Sequence, residues 1–217
     1  MLISKHFANF AQNVKNRAMS KKISNTKKML IEVARELFAQ HGKKEVTMND
    51  IAEASKKGRR TLYTYFNNKE EIYKAVIDRE LQTVLDRLTK VSVEDKEPDV
   101  KLTNHILTHL DAIKDVVTRN GSLRADFFHD IYEVERTRRK IDIKEILILK
   151  NILADGVEKK VFKRMDLELS SMIIFYAIKG LEVPYIRQNI SDSFEKNKNS
   201  IVEFVFQGIK RQKNEHH

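Results

Sequence analysis

The sequence has no cysteine and no tryptophan, and its 217 residues include only two prolines and six glycines. Without cysteine there is no disulfide framework, no thiolate metal site and no thiol nucleophile, which fits a cytoplasmic location. So few glycines and prolines leave little material for a turn-rich β fold, and the richness in Lys, Glu, Leu and Ile favours helices. The glycines are all isolated, so no phosphate-cradling loop of the GxGxxG or GxxxxGK type is present, and no serine stands in a Gly-x-Ser-x-Gly elbow. Paired carboxylates such as Glu70-Glu71 fall at a helix start, where the helix dipole accounts for them. No apolar run approaches the roughly 20 residues that a bilayer span requires. The expectation is therefore a non-enzymatic chain with no cofactor, no metal and no membrane segment.

What is present is positive charge, unevenly placed. Residues 1–69 hold 15 Lys and Arg against 5 Asp and Glu, whereas residues 70–217 hold 26 of each. The whole net charge of +10 thus sits on the first third of the chain. Such asymmetry points to nucleic acid, or less often to an anionic membrane surface. Residues 1–24 are a basic, polar leader without the apolar core of a signal peptide, read as a disordered arm or an over-long gene start in preference to a DNA-touching arm.

The stretch from Thr47 to Phe66 organises the rest. Thr47 and Asp50 have the spacing of a capping box, and Val46 and Ile51 that of a hydrophobic staple. Ile51, Ala52 and Ala54 offer small apolar surface for close helix packing, Ser55 to Gly58 suits only a turn, and Leu62 and Phe66 anchor a second helix at i, i+4. Arg59 and Arg60 fall in the first turn of that helix, where the dipole disfavours cations. A local rule broken that openly points to function, and a DNA backbone or guanine edge is the missing anionic partner.

Residues from about 26 to 72 resemble the DNA-binding domain of the TetR family of bacterial transcriptional regulators. The resemblance is carried in register by a phenylalanine followed by His41-Gly42, then Val46-Thr47-Met48, Ile51-Ala52, Thr61-Leu62-Tyr63, Tyr65-Phe66 and Asn68-Lys69-Glu70-Glu71. One departure stands out: where the family usually has Gly-Val-Ser in the turn, this chain has Lys56-Lys57-Gly58. Lysine tolerates a left-handed backbone poorly, which points to a locally rebuilt turn.

The resemblance implies an all-α protein, with an N-terminal three-helix helix-turn-helix domain and a C-terminal helical domain for ligand binding and dimerisation. The expected division is a leader over 1–24, the helix-turn-helix domain over 25–69 and the helical domain over 70–211. Matching positions in the recognition helix make Arg59, Arg60 and Thr64 the base-reading candidates. Thr47, Tyr63, Tyr65 and Lys69 are the phosphate candidates, with a core role as the alternative for the tyrosines. The function so implied is a repressor released from a palindromic operator, in double-stranded DNA, by a small-molecule effector. The alternative is a constitutive architectural DNA-binding protein without effector.

Beyond residue 69 the 3.6 periodicity predicts one helix from Asn68 to about residue 90, then helices over about 99–119, from Ser122, through Ile141 to Glu158, over Asp166–Ile190 with Pro184 kinking or ending it, and over Asp192–Lys210. The last two are apolar on more than one face. That pattern predicts a homodimer seam through Phe175, Ile178, Ile201, Phe204, Val205 and Phe206. Effector-pocket candidates are Ile106, His109, Leu110, Phe127, Phe128, Tyr132, Phe175 and Tyr176, with an ordinary core role equally open to the aromatic cluster at 127–132. His105 and His109 lie one helical turn apart, a spacing able to hold zinc. With no cysteine, and the nearest acids in sequence on the same solvated face, the pair is read as incidental.

Overall fold

The computed structural model describes residues 25–121, 131–186 and 191–210, with side chains described throughout these segments except at 131–137, 183–186 and 191–198. It is all-α: α1 over residues 25–41, α2 Met48–Ala54, α3 Arg59–Tyr65, α4 Lys69–Ser92, α5 Pro98–Arg119, α6 Ile131–Glu158, α7 Leu167–Ile186 and α8 Ser191–Ile209. Contacts divide the chain after Val76, so the division falls inside α4. The leader at 1–24 and the helix expected from Ser122 lie outside the described residues. α6 runs through Ile141 to Glu158 as expected, and it is already helical at Ile131, continuing without a break across the charged stretch Glu133 to Lys140, which contains no breaker. α7 continues past Pro184 to Ile186, the last residue described before Ser191.

In the first unit, Leu30, Ala34 and Phe38 of α1 are buried with Ile51, Leu62, Phe66, Ile72 and Tyr73. Phe38 meets Tyr73 edge-on at 5.9 Å, and the Lys43 ammonium lies 4.1 Å from the Tyr73 ring centroid. α1 ends at Gly42, whose N–H still donates to the Phe38 carbonyl and whose φ of 81° turns the chain out of the helix. Asn68 caps α4 by accepting from the Glu71 N–H at 2.9 Å.

In the second unit, Leu102, Ile106 and Leu110 of α5 share a core with Leu149, Ile152 and Leu153 of α6, with Ile174, Phe175 and Ile178 of α7, and with Val202 and Ile209 of α8. Phe162, in the α6–α7 connection, fills the space beside Gly156 so closely that a Cβ there would lie 2.1 Å from its ring. The same connection is pinned to the end of α8: Phe162 bridges Lys210, the Lys163 N–H donates to the Ile209 carbonyl, and Phe206 lies against the Phe162 ring.

Two residues expected at a dimer seam are placed otherwise. Phe175 and Ile178 are 1% exposed inside the subunit's own core, because the face of α7 turned inward is the one bearing Ser171, Ile174, Phe175, Ile178 and Glu182. The outward face of α7 carries Leu169, Met172, Ile173 and Tyr176, and α8 exposes Phe204. Phe206, Ile201 and Val205 are partly buried against the core.

Candidate nucleic-acid interface

The local sequence fixes α2 before any packing. The Thr47 hydroxyl accepts from the Asp50 N–H at 3.3 Å, and Asp50 Oδ2 accepts from the Thr47 N–H at 2.8 Å, closing the capping box. The hydrogen bonds that the carboxylate accepts, from the Thr47 N–H and then from the Thr47 hydroxyl, hold the Asp50 carboxyl below its usual range. Val46 and Ile51 are both buried at the helix entry. The Thr47 hydroxyl also donates to Asp50, so of the four phosphate candidates it has the least capacity left.

The turn is not rebuilt. Lys56 itself takes the left-handed conformation, with φ of 53°, because the bonds that end α2 demand it: Lys56 N–H donates to Glu53 O at 3.0 Å and Lys57 N–H to Ala52 O at 3.1 Å. Gly58 then occupies the N-cap of α3 in an extended conformation, without a capping side chain. Leu62 and Phe66 are buried and seat α3, while Arg59, Arg60, Tyr63 and Thr64 are exposed and Tyr65 is half-buried. The Thr64 hydroxyl donates to the Arg60 carbonyl at 2.9 Å, which leaves its methyl as the group available for an apolar contact. Lys69, half-buried, donates one Nζ hydrogen to the Lys44 carbonyl at 3.1 Å and keeps two others. Among the described residues, Arg59 and Arg60 form no ion pair, and neither do Lys56 and Lys57; four exposed cations stand in five positions.

Residues 30–76 match the family model for bacterial regulatory proteins of the tetR family. This stretch, which contains α2 and α3, is the part of the chain that the tetR model covers. TetR-family regulators bind DNA, and this chain is a DNA-binding transcriptional regulator of the same all-α class. It is 27% identical over 153 residues to an uncharacterized HTH-type transcriptional regulator, YhgD, of Bacillus subtilis (strain 168), spanning 68% of this chain and 78% of that one. Over 48 residues it is 44% identical to a probable acrEF/envCD operon repressor of Escherichia coli (strain K12), a match covering 22% of either chain. Its fold resembles the crystal structure of a transcriptional regulator from Cytophaga hutchinsonii ATCC 33406, with a TM-score of 0.72 and 21% identity over 85% of this chain and 98% of that one.

In the second unit, the residues expected to line a pocket separate into four groups, the fourth being His109 alone. Phe127 and Phe128 lie outside the described residues, as does the side chain of Tyr132. Ile106, Leu110 and Phe175 are core. Tyr176 is exposed, packing edge-on against Phe175 from the outward face of α7.

His109 is placed quite differently from a solvated face, and so is His105. Both are buried, His109 between two carboxylates from other helices: its Nδ1 lies 2.6 Å from Glu145 Oε1 and its Nε2 2.9 Å from Glu182 Oε1. His105 Nε2 donates to the same Glu145 oxygen at 3.2 Å, and Arg138 to the other oxygen of Glu182 at 3.2 Å. Both ring nitrogens of His109 face carboxylate oxygens, so the ring carries both hydrogens and a positive charge. Burial alone pulls the imidazole down, but the Glu145 charge and the hydrogen bonds from Glu145 and Glu182 outweigh it and raise it to about 10. Burial pushes the Glu145 carboxyl up, yet the His109 charge and the two histidine hydrogen bonds hold it down at about 2. Among the described residues no group of three or more His, Cys, Asp or Glu could hold a metal ion, and no helix is long and apolar enough to cross a membrane. Sequence reading missed this network because its partners are distant; the available signal was a lone acid beside an apolar run, Glu145 before Ile146-Leu147-Ile148-Leu149 and Glu182 after Leu181.

Proposed function

We propose that the protein is a repressor that binds a palindromic operator as a homodimer and is released by a small-molecule effector held in its second unit. The observation that carries the DNA side of this reading is α3 itself. Its apolar residues are buried, whereas Arg59 and Arg60 are exposed and without an anionic partner among the described residues. Arg59, Arg60 and the Thr64 methyl then read base edges, while Tyr63, Tyr65, Lys69 and, least, Thr47 hold phosphates.

The exposed apolar stripe Leu169, Met172, Ile173 and Tyr176, at i, i+3, i+4, i+7, together with Phe204 supports the dimer. An isologous pairing of this stripe presents two recognition helices to two half-sites. α4 is one helix from Lys69 to Ser92, and within the second unit its buried Glu80 is gripped by Arg119 and by Asn120 Nδ2, at 2.9 Å, from the end of α5. An effector that shifts α5 thereby shifts α4, and the spacing of the recognition helices follows.

The test starts from duplexes selected out of a random pool by the wild-type protein. Arg59→Ala or Arg60→Ala should weaken binding by about 1–3 kcal/mol and relax one position in each half-site, whereas Lys69→Ala should weaken all sequences alike. Uniform weakening by both arginine variants, with sequence preference unchanged, removes the base-reading roles. Failure of the wild type to enrich any sequence removes the operator reading altogether.

A further inference from the structure

Two helices of this chain end in the same way. At the end of α2, Lys56 N–H bonds to Glu53 O and Lys57 N–H to Ala52 O; at the end of α6, Lys160 N–H bonds to Val157 O and Val161 N–H to Gly156 O. This paired pattern needs a left-handed residue at the first position past the helix cap, where glycine is the usual occupant. The chain uses glycine for that purpose after α1, with Gly42 at φ 81°, but lysine after α2 and α6, with Lys56 at φ 53° and Lys160 at φ 61°. A lysine at a helix C-terminus gains something from the helix dipole, and that gain applies to both. Lys160 too has cations near it in sequence, Lys159, Lys163 and Arg164, although Lys159 pairs with Asp155 at 3.4 Å. Lys56 differs in standing three residues before α3, among cations none of which has such a partner among the described residues. It is exposed, its side chain makes no hydrogen bond or ion pair among the described residues, and it stands with Lys57, Arg59 and Arg60 in a run of four such cations. Repulsion within that run opposes a lysine here, and so does the backbone conformation. An observed outlier that two local effects oppose is a pointer to function.

We propose that Lys56 is a phosphate-contacting residue of the DNA interface, kept at a glycine position for its charge. The proposal rests on the reading of α3 as the recognition helix, and it adds the turn before α3 to the interface. The contacting group is an ammonium on a flexible stem, so its role is to hold the duplex backbone and not to read sequence.

The experiment uses the full chain in four forms: wild type, Lys56→Gly, Lys56→Arg and Lys160→Gly. Each is measured for thermal unfolding and for affinity, across a salt series, to one duplex selected by the wild type. Lys56→Gly should raise Tm by a few degrees, since it relieves the strained backbone, yet bind DNA more weakly with a shallower salt dependence. The slope of log K against log salt should fall by about 0.9 for each phosphate that the variant no longer neutralises, so by about 1.8 for a dimer. Lys160→Gly should raise Tm similarly and leave affinity and slope unchanged. Lys56→Arg should keep both affinity and slope. A Lys56→Gly protein that is more stable and binds with unchanged slope overturns the proposal, as does an equal loss in Lys56→Arg. If the wild type itself binds no duplex, the recognition-helix reading fails first, and that outcome is distinct from either of these.

Discussion

The buried pair of His109 and Glu145 makes stability depend on pH in a direction that can be worked out from the structure. His109 is raised from an ordinary 6.5 to about 10, so the folded chain holds one more proton than the unfolded chain between those values. Its stabilisation is complete below 6.5 and is lost as pH rises towards 10. Glu145 is lowered from 4.5 to about 2, so its stabilisation is complete above 4.5 and is lost as pH falls towards 2. The network is therefore strongest at mildly acid pH, between the two unperturbed values. One proton of difference amounts to about 1.4 kcal/mol per pH unit, so raising pH from 7 to 9 should remove about 2–3 kcal/mol.

Urea denaturation of the wild type at several pH values measures this directly, with His109→Gln as the comparison. That variant should lose about 3–5 kcal/mol at pH 6, because Glu145 and Glu182 then face each other without the imidazolium between them. It should also lose about one proton of pH dependence between 7 and 9. If the variant does not fold, the wild-type slope and an NMR titration of the His109 ring decide the matter. A wild-type free energy that is flat from pH 7 to 9, or a ring that titrates below 7, would refute the reasoning.

Gly156→Ala should destabilise the second unit by about 2–4 kcal/mol, since the new Cβ would lie 2.1 Å from the Phe162 ring and displace it from the core; a loss under 1 kcal/mol in denaturation would mean the connection yields easily. Phe204→Glu should leave the subunit's own stability almost unchanged, because Phe204 is 77% exposed, yet turn a dimer into a monomer in sedimentation; persistence of the dimer places the seam elsewhere. Phe206→Glu should instead unfold the subunit readily, because its ring packs on Phe162 at 6.1 Å.

The legible parts of this protein are those whose physics is short in sequence. Thr47 and Asp50 are three residues apart, and the capping box between them is visible to anyone reading the chain. The Lys56 turn was legible in position but not in outcome: the rarity of left-handed lysine argues for a rebuilt turn, while the two backbone bonds that close α2 hold it as it is. His109 reaches Glu145 across 36 residues and Glu182 across 73, and no local periodicity encodes such a meeting.

α7 shows why an apolar helix is harder still. Both of its faces have helical spacing, so the pattern alone does not say which one the subunit keeps for itself. The face turned inward includes Ser171 and Glu182, whereas the face turned outward, Leu169, Met172, Ile173 and Tyr176, has no charged residue. Ranked by apolarity, the outward face looks more like core than the core does. The inversion has a physical rationale on both sides. Glu182 tolerates burial because His109 and Arg138 meet its two oxygens. In the homodimer proposed above, the outward stripe is covered by the same stripe on another copy of this chain, the surface with matching spacing.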